Sequence, residues 1–322
     1  MKAAIMHSAG AVPEHGDFDE PVVGERHGLV DMVAAGIHPA TRSIASGSHY
    51  SSAGAYPLVP GLDAVARTPE GRLVYTGFVQ DPYGTLAERM AAPLRARFPL
   101  AEGAAPEPVA GGINPGLSTW LPLRARSAEV EELGTVLVLG VTGTAGYLAV
   151  QNARLLGATR VIGVGRNPAG LERAIAAGAD TVAFTGDQGT DADALTTALG
   201  DTAPSLVLDL VWGGPAEVAF HALTRQKSDA TDISFVQIGS GAGESAAVPA
   251  SLLRSRKFRI SGSGAGSVSP ADALSQIPAY VEMICDGRVQ VPTRAYPLSK
   301  VAEAWAAAAE SGPRVVVVPD RG

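Results

Sequence analysis

From about residue 120 to residue 265, short apolar runs alternate with longer stretches of helical period. The runs at 136–139, 161–164, 181–184, 205–210, 233–238 and 258–262 have the length and β-branched content of strands. Between them, 147–156, 168–177, 191–199, 215–223 and 249–254 read as helices. Such alternation predicts an α/β fold with a parallel sheet doubly wound by helices on both faces. Ligands then sit beyond the carboxyl ends of the strands.

The pattern before residue 120 is different. Short strand-like runs at 3–6, 29–34 and 72–75 are separated by dense turn signals, among them Pro60-Gly61, Asp81-Pro82 and Tyr83-Gly84. This predicts an irregular, mostly β region. The strand leading to Ala34 reads as interrupted by Arg26, His27 and Asp31. After a helix at 270–286, the tail reads strand, helix, strand at 289–298, 301–310 and 315–318.

The chemistry concentrates where the first strand of the alternating region ends. Gly140, Gly143 and Gly146 follow the apolar run and open a helix, with Thr142, Thr144 and Ala145 between them. A strand, a glycine-rich turn and a helix form the geometry that lays a dinucleotide pyrophosphate on backbone N–H groups at a helix N-terminus. The spacing is Gly-x-x-Gly-x-x-Gly rather than the commoner Gly-x-Gly-x-x-Gly. The second strand ends at Gly165, Arg166 and Asn167. An acidic residue about 20 positions past the glycines usually binds the ribose hydroxyls of NAD; here Arg166 stands in that region. One reading is a guanidinium clamp for the adenosine 2′-phosphate of NADPH; the other is a solvated arginine at a strand end. Three more strand ends, at Val211-Trp212, Gly239-Ser240 and Ser263-Gly264, permit close backbone approach to a flat ligand, or are plain loops. Trp212 suits a cofactor groove and a packed core equally.

Composition narrows the field. The chain has 322 residues, 46% hydrophobic and 18% charged, enough for one large or two ordinary globular domains. A formal net charge of −7 without a basic stripe argues against a nucleic-acid partner. One cysteine, Cys285, excludes an internal disulfide and a cysteine-rich zinc site. The six histidines show no metal-ligand spacing. No apolar run of about 18 residues suggests a membrane span, and the first residues do not read as a signal peptide. The expectation is a cytoplasmic protein without metal, membrane or nucleic-acid partners.

Four local patterns resemble the medium-chain dehydrogenase/reductase superfamily, in its zinc-independent quinone oxidoreductase branch. They are Ala-Ala-Gly-Ile-His-Pro at 34–39, Tyr-Pro-Leu-Val-Pro-Gly-Leu-Asp at 56–63, Gly-Leu-Ser-Thr-Trp at 116–120, and the glycine turn with the second strand at 139–146 and 161–167. The resemblance implies a doubly wound (Rossmann) cofactor domain at 119–269. It also implies a split, mostly β GroES-like catalytic domain at 1–118 and 270–322. The cofactor implied is NADPH, and the assembly a homodimer, often built by pairing sheet edges. Zinc members carry a Cys near His38, a Gly-His-Glu where this chain has Gly61-Leu62-Asp63, and a four-Cys lobe absent here.

Hydride transfer to a quinone is the activity implied. The alternatives are reduction of an enone or enoyl group and a non-catalytic NADPH-binding role. By the resemblance Thr119 contacts the nicotinamide side of the cofactor, although it also reads as a helix-start residue. Tyr50, His38 and Tyr83 are the candidate donors to a substrate oxygen, each also explicable by packing or surface exposure.

Overall fold

The computed structural model describes residues 1–49, 52, 54–226 and 231–320. They form two compact units, Met1–Pro115 with Leu274–Gly322, and Gly116–Ala273.

The first unit begins with the antiparallel pair β1 (Lys2–Ile5) and β2 (Glu14–Asp17). It continues through β3 (His27–Gly36), α1 (Pro39–Ala45), β4 (Asp63–Arg67), β5 (Leu73–Gly77), β6 (Arg89–Pro93), β7 (Phe98–Pro99) and α2 (Pro106–Glu129). β3 runs unbroken through His27 and Asp31, which corrects the expectation of an interruption. The polar residues fit because strand side chains alternate in direction: Val30, Met32 and Ala34 are buried while Leu29 and Asp31 are exposed. A register shift between Met32 and Ala34 then resets the alternation. The boundary between units falls within α2 after Pro115, a residue with no N–H for the helical ladder. The glycines at 111, 112 and 116 and this proline hide α2 from a reading by helix propensity.

The second unit contains the parallel strands β8 (Thr135–Leu139), β9 (Arg160–Gly165), β10 (Asp180–Ala183), β11 (Leu206–Asp209), β12 (Ile233–Gln237) and β13 (Phe258–Gly262). Their order is β10-β9-β8-β11-β12-β13. The linking helices are α3 (Thr144–Leu155), α4 (Pro168–Ala176), α5 (Gln188–Leu199), α6 (Gly214–Arg225) and α7 (Ala250–Ser255). Alternation builds two cores from one strand. Val136 and Val138 pack with Val150, Ala153 and Leu208, whereas Leu137 and Leu139 pack with Val207, Phe220 and Phe235. Every residue of β8 is buried, as a central parallel strand requires. At the sheet edge β13 is exposed along nearly its whole length, Ile260 being 37% exposed.

α8 (Pro270–Cys285), β14 (Thr293–Pro297), α9 (Val301–Ala307) and β15 (Arg314–Val318) end the chain. β15 joins the first unit's sheet, ordered β14-β15-β3-β4-β5-β7 with β6 also on β3. Met6, Met32, Met90, Leu298 and Trp305 belong to its core. Among the described residues no helix is long and apolar enough to cross a membrane.

Candidate functional site

The carboxyl end of β8 delivers the chain into the glycine turn. Gly140 takes φ +89°, a backbone conformation L side chains rarely adopt. At Gly146 a Cβ would stand 2.4 Å from the Gly140 carbonyl oxygen and 2.5 Å from Val141 Cα, so only glycine lets α3 start this close to the strand end. Gly143 differs: its nearest obstacle is 3.9 Å away and it is exposed, so its missing side chain leaves space rather than relieving a clash. Gly143 is also the N-cap of α3 and offers no side chain to the first-turn N–H groups. By contrast, Asn167 Oδ1 caps α4 at Gly170 N (2.8 Å) and Asp187 Oδ1 caps α5 at Thr190 N (2.8 Å). The turn therefore has the open donors and clearance that a bound pyrophosphate needs.

The end of β9 meets the turn from the side. A Cβ on Gly165 would fall 2.4 Å from Thr142 Cγ2, and one on Gly170 2.5 Å from Thr142 Cβ. Thr142 thus locks the turn to β9 and α4. Arg166 follows, exposed and without a hydrogen-bond or ion-pair partner among the described residues. Asn167 serves α4 with its side chain, as above. Sequence reading missed Arg173, whose Nη2 donates to the Thr142 carbonyl at 3.3 Å. Its signal was a second arginine one helical turn past Gly170.

β11 supplies a second missed residue. Asp209 is fully buried, and its Oδ1 accepts from Val211 N (2.9 Å) and Trp212 N (2.8 Å). Its Oδ2 has no hydrogen-bond partner among the described residues. Burial pushes its pKa up from 3.8 to about 6, against the two backbone N–H donors. This carboxylate shapes the Val211–Trp212 loop, where Trp212 takes φ +55°. Trp212 is half-buried and packs edge-on against Phe220 and Phe235 at 6.0 and 6.2 Å. Gly239 lies against Leu210, where a Cβ would be 2.5 Å from the carbonyl oxygen. Ser240 is exposed; Ser263 N is tied to the Gln237 carbonyl at 2.8 Å and Gly264 N to Ser267 Oγ at 2.8 Å.

Thr119 lies mid-way along α2, not at a helix start, which corrects that reading. It is fully buried. Its hydroxyl donates to the Gly116 carbonyl and accepts from Asn152 Nδ2, both at 3.1 Å, so it is committed to packing α2 on α3.

In the first unit His38, at the N-terminus of α1, is 1% exposed, and its Nε2 lies 2.8 Å from Asp63 Oδ1. Tyr75 donates to Asp63 Oδ2 at 2.6 Å. Burial first, then the Asp63 charge, raises the Tyr75 pKa well above 10. Arg314 donates to the Ile37 carbonyl at 3.0 Å; burial draws its pKa down to about 10, opposed by Asp63. His38 and Asp63, from two of the segments compared with zinc members above, are thus paired with each other. Among the described residues no group of three His, Cys, Asp or Glu side chains is placed to hold a metal. Tyr83 is half-buried, its ring edge-on to Phe18 at 5.8 Å. Tyr50 lies outside the described residues.

The second unit has the doubly wound fold and the glycine turn of a dinucleotide-binding domain. No family model matches the chain. A probable NADPH-dependent quinone reductase of Emericella nidulans is 34% identical over 230 residues, covering 68% of this chain and 63% of that protein. The quinone oxidoreductase from Thermus thermophilus, solved also with NADPH, superposes with a TM-score of 0.81 at 26% identity, over 99% of this chain and 100% of that one. A Pseudomonas syringae quinone oxidoreductase gives 0.79 at 22% identity, over 99% and 100%. In sequence and in fold the chain is thus similar to quinone oxidoreductases, in line with the resemblance to the medium-chain dehydrogenase/reductase superfamily carried by its motifs.

Proposed function

We propose that this chain is an NADPH-dependent, zinc-independent oxidoreductase of the cytoplasm that transfers hydride to a quinone. The unit Gly116–Ala273 holds the cofactor and the split unit serves the substrate. The observation that carries the reading is the glycine turn, left open at Gly143 and flanked by Arg166, which has no partner among the described residues. The first-turn N–H groups of α3 would hold the pyrophosphate, and Arg166 the 2′-phosphate. When bound, NADPH supplies the hydride. Asp209 keeps the Val211–Trp212 loop in shape beside the turn. A reduced quinone takes its protons from water, so the buried His38–Asp63–Tyr75 group is not required as a donor and acts as an architectural lock. Pairing of the exposed edge β13 with its copy would give the homodimer.

The deciding experiment follows NADPH oxidation against 1,4-benzoquinone, 9,10-phenanthrenequinone, a 2-alkenal, a cyclic enone and a simple ketone, with NADH as control. Turnover of the quinones supports the proposal, and preference for the alkenal or enone overturns its substrate. Tight NADPH binding without turnover of any acceptor favours a non-catalytic role. Arg166→Ala should weaken NADPH about 10- to 100-fold, the range for a hydrogen bond to a charged group, and leave NADH nearly unchanged.

A further inference from the structure

Resting on the NADPH reading, we infer that Arg173 is a second cation of the 2′-phosphate site and shares with Arg166 the discrimination between NADPH and NADH. Three observations converge. Arg173 is half-buried and donates through Nη2 to Thr142, the residue that Gly165 and Gly170 clasp from β9 and α4. Side chains on a helix lean toward its N-terminus, so Arg173 is directed back along α4 toward the turn that carries Arg166 and Asn167. Finally, the charge is uncompensated. Arg126, Arg160, Arg225 and Arg259 of the same unit each pair with a carboxylate, whereas Arg166 and Arg173, like Arg154 and Arg254, pair with none among the described residues, and only the first two of these lie at the glycine turn.

A half-buried guanidinium with one donor on a carbonyl and further N–H donors unspent is matched by an anion with several acceptor oxygens. A phosphomonoester supplies them. Its two charges suit two arginines better than one, and Arg173, already fixed by Thr142, loses little freedom on binding.

The test is titration of the wild type, Arg173→Met, Arg173→Lys and Arg166→Ala with NADPH, NADH, adenosine 2′,5′-bisphosphate and AMP. Methionine keeps the aliphatic stem, and a thermal melt of each variant checks folding. The expected result is that Arg173→Met weakens NADPH and the bisphosphate about tenfold or more, and NADH and AMP less than about twofold. Lysine, a point charge without the fork, recovers part of the loss. Equal weakening of NADH and AMP would reduce Arg173 to a tether of Thr142 and overturn the inference, as would no weakening at all. Failure of the NADPH reading itself looks different: the wild type would bind AMP as tightly as the bisphosphate.

Discussion

The two units treat their polar groups in opposite ways. Around the glycine turn, no side chain caps the first-turn N–H groups of α3, and Arg166 has no partner among the described residues. Around Asp63, His38 Nε2 and the phenol of Tyr75 are both engaged by a single carboxylate that is 4% exposed. Both regions hold residue types associated with catalysis. Open donors at the surface mark the first as a place for a ligand, and a shared buried carboxylate marks the second as a clamp within the fold, although His38 Nδ1 there has no hydrogen-bond partner among the described residues.

The contrast breaks most sharply at Asp63. Asp63→Ala leaves two buried partners unsatisfied and should cost about 3–5 kcal/mol, read as a large drop in the thermal midpoint. Any protein that stays folded should bind cofactor normally. Normal stability together with lost turnover would make the cluster catalytic instead.

Asp209 is next, since it shares features of both regions. Its carboxyl titrates at about 6 when folded and 3.8 ordinarily, so the folded chain holds this proton more tightly. Stability from this group is therefore fully present below the lower value and is lost as pH rises through the upper one. The loss is on the order of 3 kcal/mol. Asp209→Asn should flatten the stability profile between pH 4 and pH 6 in urea titrations; parallel profiles for the two proteins would refute the assignment.

The smallest effects separate two glycines of one turn. Gly146→Ala forces a methyl into backbone atoms and should cost about 1–3 kcal/mol. Gly143→Ala meets only an ordinary 3.9 Å contact and should cost about 0.5–1 kcal/mol as a poorer N-cap, yet weaken NADPH about tenfold if the pyrophosphate lies there. Unfolding titrations with a parallel binding assay distinguish the two, and equal behaviour would mean that Gly143 has only a structural role.

The second unit was legible in the sequence because its strands are buried on both faces and its turn must be glycine. Each expected strand there has a counterpart that agrees to within one residue at either end. The first unit was not. β3 carries Asp31 and His27 on its outer face, and α2 contains glycines and a proline that deny it a helical signature. Arg173 was missed because a basic residue in a helix has no distinctive pattern until its partner, the Thr142 carbonyl, is located. The Asp63 cluster needed the fold to unite residues from three separate segments.

The split of the first unit also bears on synthesis. Arg314 reaches the Ile37 carbonyl across 277 positions, and β15 pairs with β3 between the same neighbourhoods. On the ribosome the contiguous second unit has all its strands before β15 emerges. β3 meanwhile waits with the Ala35–Gly36 end of one edge unpaired, exposed to other chains, while β6 covers the same edge at His27–Asp31. A nascent-chain stall before residue 314 should therefore yield a protease-resistant core from the second unit and a first unit that depends on chaperones.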